Sequence, residues 1–336
     1  MNNMLPRPQF WAETANCLRR RHSAFGELLI YYLLCFLAFL LQSVLISIPM
    51  AGRILQTKSD ELMQAFENGT LTQDYILTLL EQMPDWMSVF VMFAGVTIGL
   101  AAVFYCRRFQ KRSFSSMGLC GKHRIAECVL GVAVGMSLVT AVIALGAATG
   151  GYRLFYTRPS GNTGGRLLLA ALGCVVYGSS LELMTQGYFA PTLGAGRPVA
   201  LALVLSSLVS GMMHSGDAAF SVGTFNGLLL GLLLGIWVLK RGNLWGACGL
   251  HAAWLFTENY FFDVAPADAH SRLRLFAADA DPFRPLLSGG EYGPMYSICA
   301  TVILLAALAA VLALKPRDVA APQDPAAPDA QQTNFL

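Results

Sequence analysis

A chain of 336 residues that is 55% hydrophobic and only 13% charged, with a mean hydropathy of +0.53, lacks the polar surface that a water-soluble protein of this length needs. The apolar residues come in long unbroken runs, so lipid is the solvent for much of the chain, and the expected fold class is all-α: a polytopic membrane helix bundle. A formal net charge of +3, with the basic residues spread among the connections, excludes nucleic acid as a partner.

In chain order, residues 1–27 read as a basic cytoplasmic arm carrying Arg7, Arg19, Arg20 and Arg21. The apolar run that follows has no small-residue cleavage site and reads as a retained signal anchor. Crossings are predicted at Leu28–Met50, Trp86–Tyr105, Glu127–Ala148, Leu167–Phe189, Pro198–Met213, Ala218–Leu239, Leu244–Phe262 and Met295–Leu314. That makes about eight, most near the roughly 20 residues a spanning helix requires. The run from Pro198 is short, which implies tilt or a partly re-entrant path. The tail 315–336 is rich in Ala, Pro, Asp and Gln and is expected to be disordered.

Loop charge orients the bundle, because Lys and Arg concentrate on the cytoplasmic side. Arg107, Arg108, Lys111, Arg112, Lys122, Arg124, Arg197, Lys240 and Arg241 fall on the side of the N-terminal arm. The acidic stretch from Asp60 to Asp85 and the loop from Asp263 to Glu291 fall on the other, along with a minority of arginines such as Arg153 and Arg284. Both termini are therefore expected to be cytoplasmic. Eight cysteines without a CxxC pair are not a disulfide framework, and with the basic loops they fit a bacterial inner membrane. Gly131 and Gly135, and Gly227, Gly231 and Gly235, sit four apart and read as helix-packing positions.

Function is sought among polar groups at membrane depth, where an ionisable side chain costs about 2.5 kcal/mol or more unless partnered or hydrated. Those groups are Glu182 with Gln186, His214 with Asp217, Asn226, and His251 with Glu258 and Asn259. One central acid and two imidazoles on three helices are the groups needed to activate water or bind a divalent metal. Glu258 lies about two turns beyond His251 and is either a second acid in the same cavity or an interfacial group. Asp217 either orients His214 or caps a helix end.

These residues resemble a family. The stretch from Leu181 to Phe189, in order Leu-Glu-Leu-Met-Thr-Gln-Gly-Tyr-Phe, is similar to the EExxxRG-aromatic motif of the CPBP intramembrane proteases, the CAAX-processing and bacteriocin-immunity group. Ser210–His214 resembles their FxxxH motif and His251–Leu255 their HxxxN motif. The approach Gly242-Asn243-Leu244-Trp245 and the flank Gly249-Leu250-His251-Ala252-Ala253-Trp254 look like the family's own. The resemblance covers residues 165–262, a core framed by N-terminal helices with an acidic outer loop (28–164) and an outer loop with a last helix (263–314). This sequence has Leu181 for the family's first Glu, Gln186 for Arg, Leu255 for Asn and Ser210 for Phe.

What the resemblance implies is an intramembrane endopeptidase with Glu182, His214 and His251 as catalytic residues, acting on a peptide or lipidated-protein substrate. The alternative is a catalytically impaired relative that binds a membrane partner in an immunity or regulatory role. No cofactor is implied if glutamate is the base; if a metal such as zinc is used, the same three residues are its ligands. Glu182 is turned about 100° from position 181 on a regular helix, so it substitutes for the missing acid only with a local rotation or bulge.

Overall fold

The computed structural model describes residues 5–18, 22–70, 72, 75, 85–158, 161–213, 221–265 and 273–317. The chain is mostly helical with little sheet. Helix α1 (Gln9–Cys17) precedes α2 (Ala24–Glu67), followed by α3 (Asp85–Ala94), α4 (Val96–Arg108), α5 (Arg124–Ala148) and α6 (Thr163–Glu182). After α6 come a π-helical segment, Leu183–Phe189, and a last α turn, Ala190–Gly194. Helices α7 (Val199–Met212), α8 (Val222–Arg241) and α9 (Trp245–Phe256) follow, then a second π segment, Thr257–Phe261, and finally α10 (Ile298–Ala313). The expected tail beyond residue 317 lies outside the described residues.

Among the described residues, five helical stretches are long and apolar enough to cross a membrane: Ala24–Glu67, Trp86–Arg108, Arg124–Ala148, Thr163–Gly194 and Val222–Arg241. Helices α7 and α10 are apolar but shorter. Local chemistry sets the ends. The Ser23 hydroxyl accepts from the Gly26 amide at 3.0 Å and starts α2. Ser221 and Thr224 form a capping box at α8, which ends on Lys240, Arg241 and a left-handed Gly242.

Two expectations about the connections change. The acidic stretch after Met50 is not simply a loop, because α2 continues through Pro49 and a kink at Lys58 to Glu67. The connections contribute a three-stranded sheet to a bundle expected to be purely helical. Strand β1 (Tyr152–Tyr156) pairs antiparallel with β3 (Phe276–Ala280), Tyr152 opposite Ala280, and β2 (Val264–Ala265) runs parallel to β3. Tyr156 and Phe276, directly opposite in the register, meet edge to face at 5.6 Å between ring centroids, the cross-strand packing that supports so short a sheet, and Phe261 and Phe262 lie tilted against Phe276.

The core that positions the site is the packing of α9 between α5 and α6. Backbones touch at the first interface: a Cβ on Gly131 would stand 2.0 Å from the Gly246 carbonyl oxygen, and one on Gly249 would stand 2.2 Å from that of Cys128. Only glycine allows so close an approach, as small-residue packing in lipid requires. At the end where α5 begins and α8 and α10 finish, Glu127 receives Arg241 at 2.6 and 2.8 Å and Arg317 at 2.8 Å. Beside it Lys240 Nζ donates to the carbonyls of Leu312 and Leu314 at 2.7 and 2.6 Å, capping α10.

Candidate active site

Glu182 is the last residue of α6 and His251 lies midway along α9. The Glu182 Oε1 to His251 Nδ1 distance is 2.7 Å, and the two residues are 2% and 7% exposed. They are thus a buried, directly bonded pair. Glu182 Oε2 is also buried and has no hydrogen-bond partner among the described residues. An orphaned carboxyl oxygen costs about 1–3 kcal/mol.

The π segment begins immediately after Glu182. A π turn holds one more residue than an α turn, so it offsets Glu182 by one position relative to the downstream turn carrying Tyr188 and Phe189. Wide turns leave carbonyls to be satisfied from elsewhere, and here side chains satisfy them. Thr185 Oγ1 donates to the Leu181 carbonyl at 2.8 Å and Thr192 Oγ1 to the Tyr188 carbonyl at 2.6 Å. Arg112, only 1% exposed, donates to the Gly187 carbonyl at 2.8 Å and to that of Ser116 at 2.5 Å. Its other nitrogen reaches Gln110 Oε1 at 3.2 Å and Thr192 Oγ1 at 3.3 Å. Burial draws the guanidinium's pKa below its ordinary value, opposed by the nearby Cys106, Cys17 and Tyr188.

Residues 163–257 match the family model described as type II CAAX prenyl endopeptidase Rce1-like. Those residues form an Rce1-like domain. No curated protein and no solved structure matches the chain. The domain is of an intramembrane endopeptidase-like family, and with the five long apolar helices it makes the protein an integral membrane protein.

Both members of the Glu182–His251 pair fall inside the Rce1-like domain, whereas His214 and Asp217 lie outside the described residues. The substituted motif positions have become packing. Leu181 packs on the main core, and Leu255 joins a second apolar cluster around Val89, Leu167 and Tyr260. Gln186 is buried against Gly235 of α8. Three other polar candidates have structural partners. Asn226 Nδ2 donates to the carbonyls of Met295 and Ser297 at 2.7 and 2.9 Å, and its Oδ1 accepts from Thr301 at 2.7 Å. Glu258 accepts from Trp254 Nε1 at 2.8 Å, while Asn259 is exposed and bonds the Leu255 carbonyl.

A catalytic zinc takes three protein ligands and keeps a fourth position open. Among the described residues no three His, Cys, Asp or Glu side chains gather to hold a metal. Glu182 and His251 supply two donors, so the described residues alone do not fit the ion. The residue that sequence reasoning missed is Arg112, which it counted as one more loop cation. No periodicity or spacing separates Arg112 from its neighbours Lys111 and Arg108; only the carbonyls of the π segment do.

Proposed function

We propose that this protein is an intramembrane endopeptidase-like enzyme in which Glu182 activates water and His251 holds and orients that glutamate. The observation that carries the reading is the buried 2.7 Å contact between Glu182 and His251, with Glu182 Oε2 left without a hydrogen-bond partner among the described residues. Water bonded to that oxygen loses a proton to it as the water oxygen attacks the peptide carbonyl carbon. The C–N bond then breaks as the proton passes to the departing amine, giving a carboxylic acid and an amine. His214 is the proposed stabiliser of the oxyanion between these steps.

The setting proposed for this chemistry is eight crossings, both termini cytoplasmic, in a bacterial inner membrane. The arm 1–27, the helices 28–164, the catalytic core 165–262, the outer loop and last helix 263–314 and the tail 315–336 are its divisions. The substrate is a peptide or the end of a lipidated protein presented from the bilayer. A second reading, a membrane-binding or immunity protein without hydrolysis, is favoured by one observation: Leu181 and Leu255 are packed into apolar clusters where the resembling family carries Glu and Asn.

The test is cleavage of internally quenched peptides by the protein in detergent. Weak turnover is expected, falling about 100-fold or more in Glu182→Gln and His251→Ala, the scale of a lost general base. Turnover unchanged by both substitutions would remove the catalytic pair. Tight binding of peptide without cleavage, lost in the same variants, would favour the second reading.

A further inference from the structure

Away from the Glu182–His251 pair, α2 and α4 line a cavity of about 1010 Å³. Its walls are apolar, with Ile30, Leu34 and Leu41 on α2 and Leu100 and Phe104 on α4, and His22, Glu27, Gln110 and Lys111 gather at one end; Thr97, toward the other, gives its hydroxyl proton to the Ala94 carbonyl. Neither Glu182 nor His251 lines it. From Glu27 to Leu41 the α-helical rise gives about 21 Å, enough to pass through one leaflet, about 15 Å or half of a hydrocarbon core of about 30 Å. A polar head with an apolar shaft of leaflet depth has the shape of one lipid molecule.

The head is chemically specific. Glu27 is 2% exposed; its Oε1 is bonded to His22 Nδ1 at 2.9 Å, and its Oε2 is buried without a partner among the described residues. That oxygen lacks a hydrogen-bond donor. Lys111 is exposed, forms no ion pair among the described residues and is held in the left-handed backbone region at φ 56°, a conformation uncommon for a side-chain-bearing residue outside functional turns. It offers a cation without an anion. One end of the cavity therefore presents an acceptor for an N–H donor and a charge for a phosphate.

We propose that this cavity is a phospholipid site selective for a primary ammonium headgroup: the ammonium donates to Glu27 Oε2, the phosphate rests on Lys111, and an acyl chain fills the shaft between α2 and α4. A quaternary ammonium has the same charge but no N–H to give Glu27, and a glycerol headgroup has no cation. Both are therefore poorer ligands.

The experiment is native mass spectrometry of the intact protein released from nanodiscs containing equal parts of phosphatidylethanolamine, phosphatidylcholine and phosphatidylglycerol. Wild type is expected to retain the ethanolamine lipid at least tenfold over the other two. Glu27→Gln should erase that preference. Lys111→Ala, at an exposed site that leaves the core untouched, should weaken retention of all three, and Leu34→Trp should obstruct the shaft and release lipid irrespective of headgroup. Equal retention of the three lipids by wild type, or an ethanolamine preference that survives Glu27→Gln in protein with a wild-type melting curve, overturns the proposal. Should Glu27→Gln not fold, undiminished lipid retention in Lys111→Ala overturns it instead.

Discussion

Gly178 lies directly against the backbone of Ala252: a Cβ at position 178 would stand 2.8 Å from the Ala252 nitrogen and 3.2 Å from the His251 carbonyl carbon. Gly178 is one turn before Glu182 on α6, so this contact sets the helix separation at which the carboxyl and the imidazole meet. Gly178→Val should force α6 and α9 apart, lowering stability by about 1–3 kcal/mol, the usual cost of overpacking. The Glu182–His251 coupling should fall with it. A double-mutant cycle between those two residues, run by thermal melting in both backgrounds, checks this: an undiminished coupling energy in Gly178→Val would show that the glycine does not govern the pair.

The helices were legible because apolar runs of membrane length have few alternatives to an α-helix. The stretch Arg124–Ala148 begins within three residues of the predicted Glu127 and ends with it. Glu182 and His251 were legible as polar groups too costly to bury without a role. The continuation of α2 to Glu67 and the strands Tyr152–Tyr156 and Phe276–Ala280 were hidden because charged and short segments take their structure from neighbours. The π segment was legible only as a requirement, since nothing in Leu-Met-Thr-Gln-Gly-Tyr-Phe distinguishes a five-residue hydrogen bond from a four-residue one. Arg112 was hidden for a related reason, because its partners are carbonyls some seventy-five residues away.

Arg112 should be indispensable to the π segment. It is buried, and it bonds carbonyls and hydroxyls with no carboxylate among its hydrogen-bond partners. Arg112→Met leaves the carbonyl of Gly187 without its donor and should cost about 3 kcal/mol, since hydrogen bonds to charged groups contribute about 1.5–3 kcal/mol each. Arg112→Lys should not rescue it, because an ammonium cannot reproduce the planar fork. Melting temperatures of the two variants, with limited proteolysis at the 109–123 connection, provide the measurement. Full stability in Arg112→Lys would reduce the residue to a simple charge.

Asn226 should matter to folding and not to chemistry. Its amide joins α8 to the start of α10 through two donated bonds and one accepted bond. Asn226→Ala takes its donor from the buried Met295 carbonyl and one of several from that of Ser297, and should lower stability by about 1–3 kcal/mol. Asn226→Asp, which replaces the donating NH₂ with oxygen, should be at least as damaging. Peptide turnover or lipid retention per folded molecule should remain at the wild-type level in Asn226→Ala, and a selective loss of either would give this residue a functional role.

Positions 181 and 186 offer the converse of removal. They are five residues apart across the junction of α6 and the π segment, and five is the hydrogen-bond step of a π turn, so side chains there are near neighbours along the helix. Leu181→Glu alone puts a carboxyl into a partly apolar wall, and Gln186→Arg alone places an unpaired guanidinium beside Gly235. Each should destabilise by roughly 3 kcal/mol, the cost of a buried charge left without its partner. Together they supply each other's partner and bring the stretch to the Glu-Glu-x-x-x-Arg-Gly order of the family it resembles. The double variant should be more stable than the sum of the single effects by about 1 kcal/mol or more, and its peptide turnover should exceed that of wild type. Additive destabilisation with no gain in turnover would mean that the packed Leu181 environment has closed the route by which the second acid once acted.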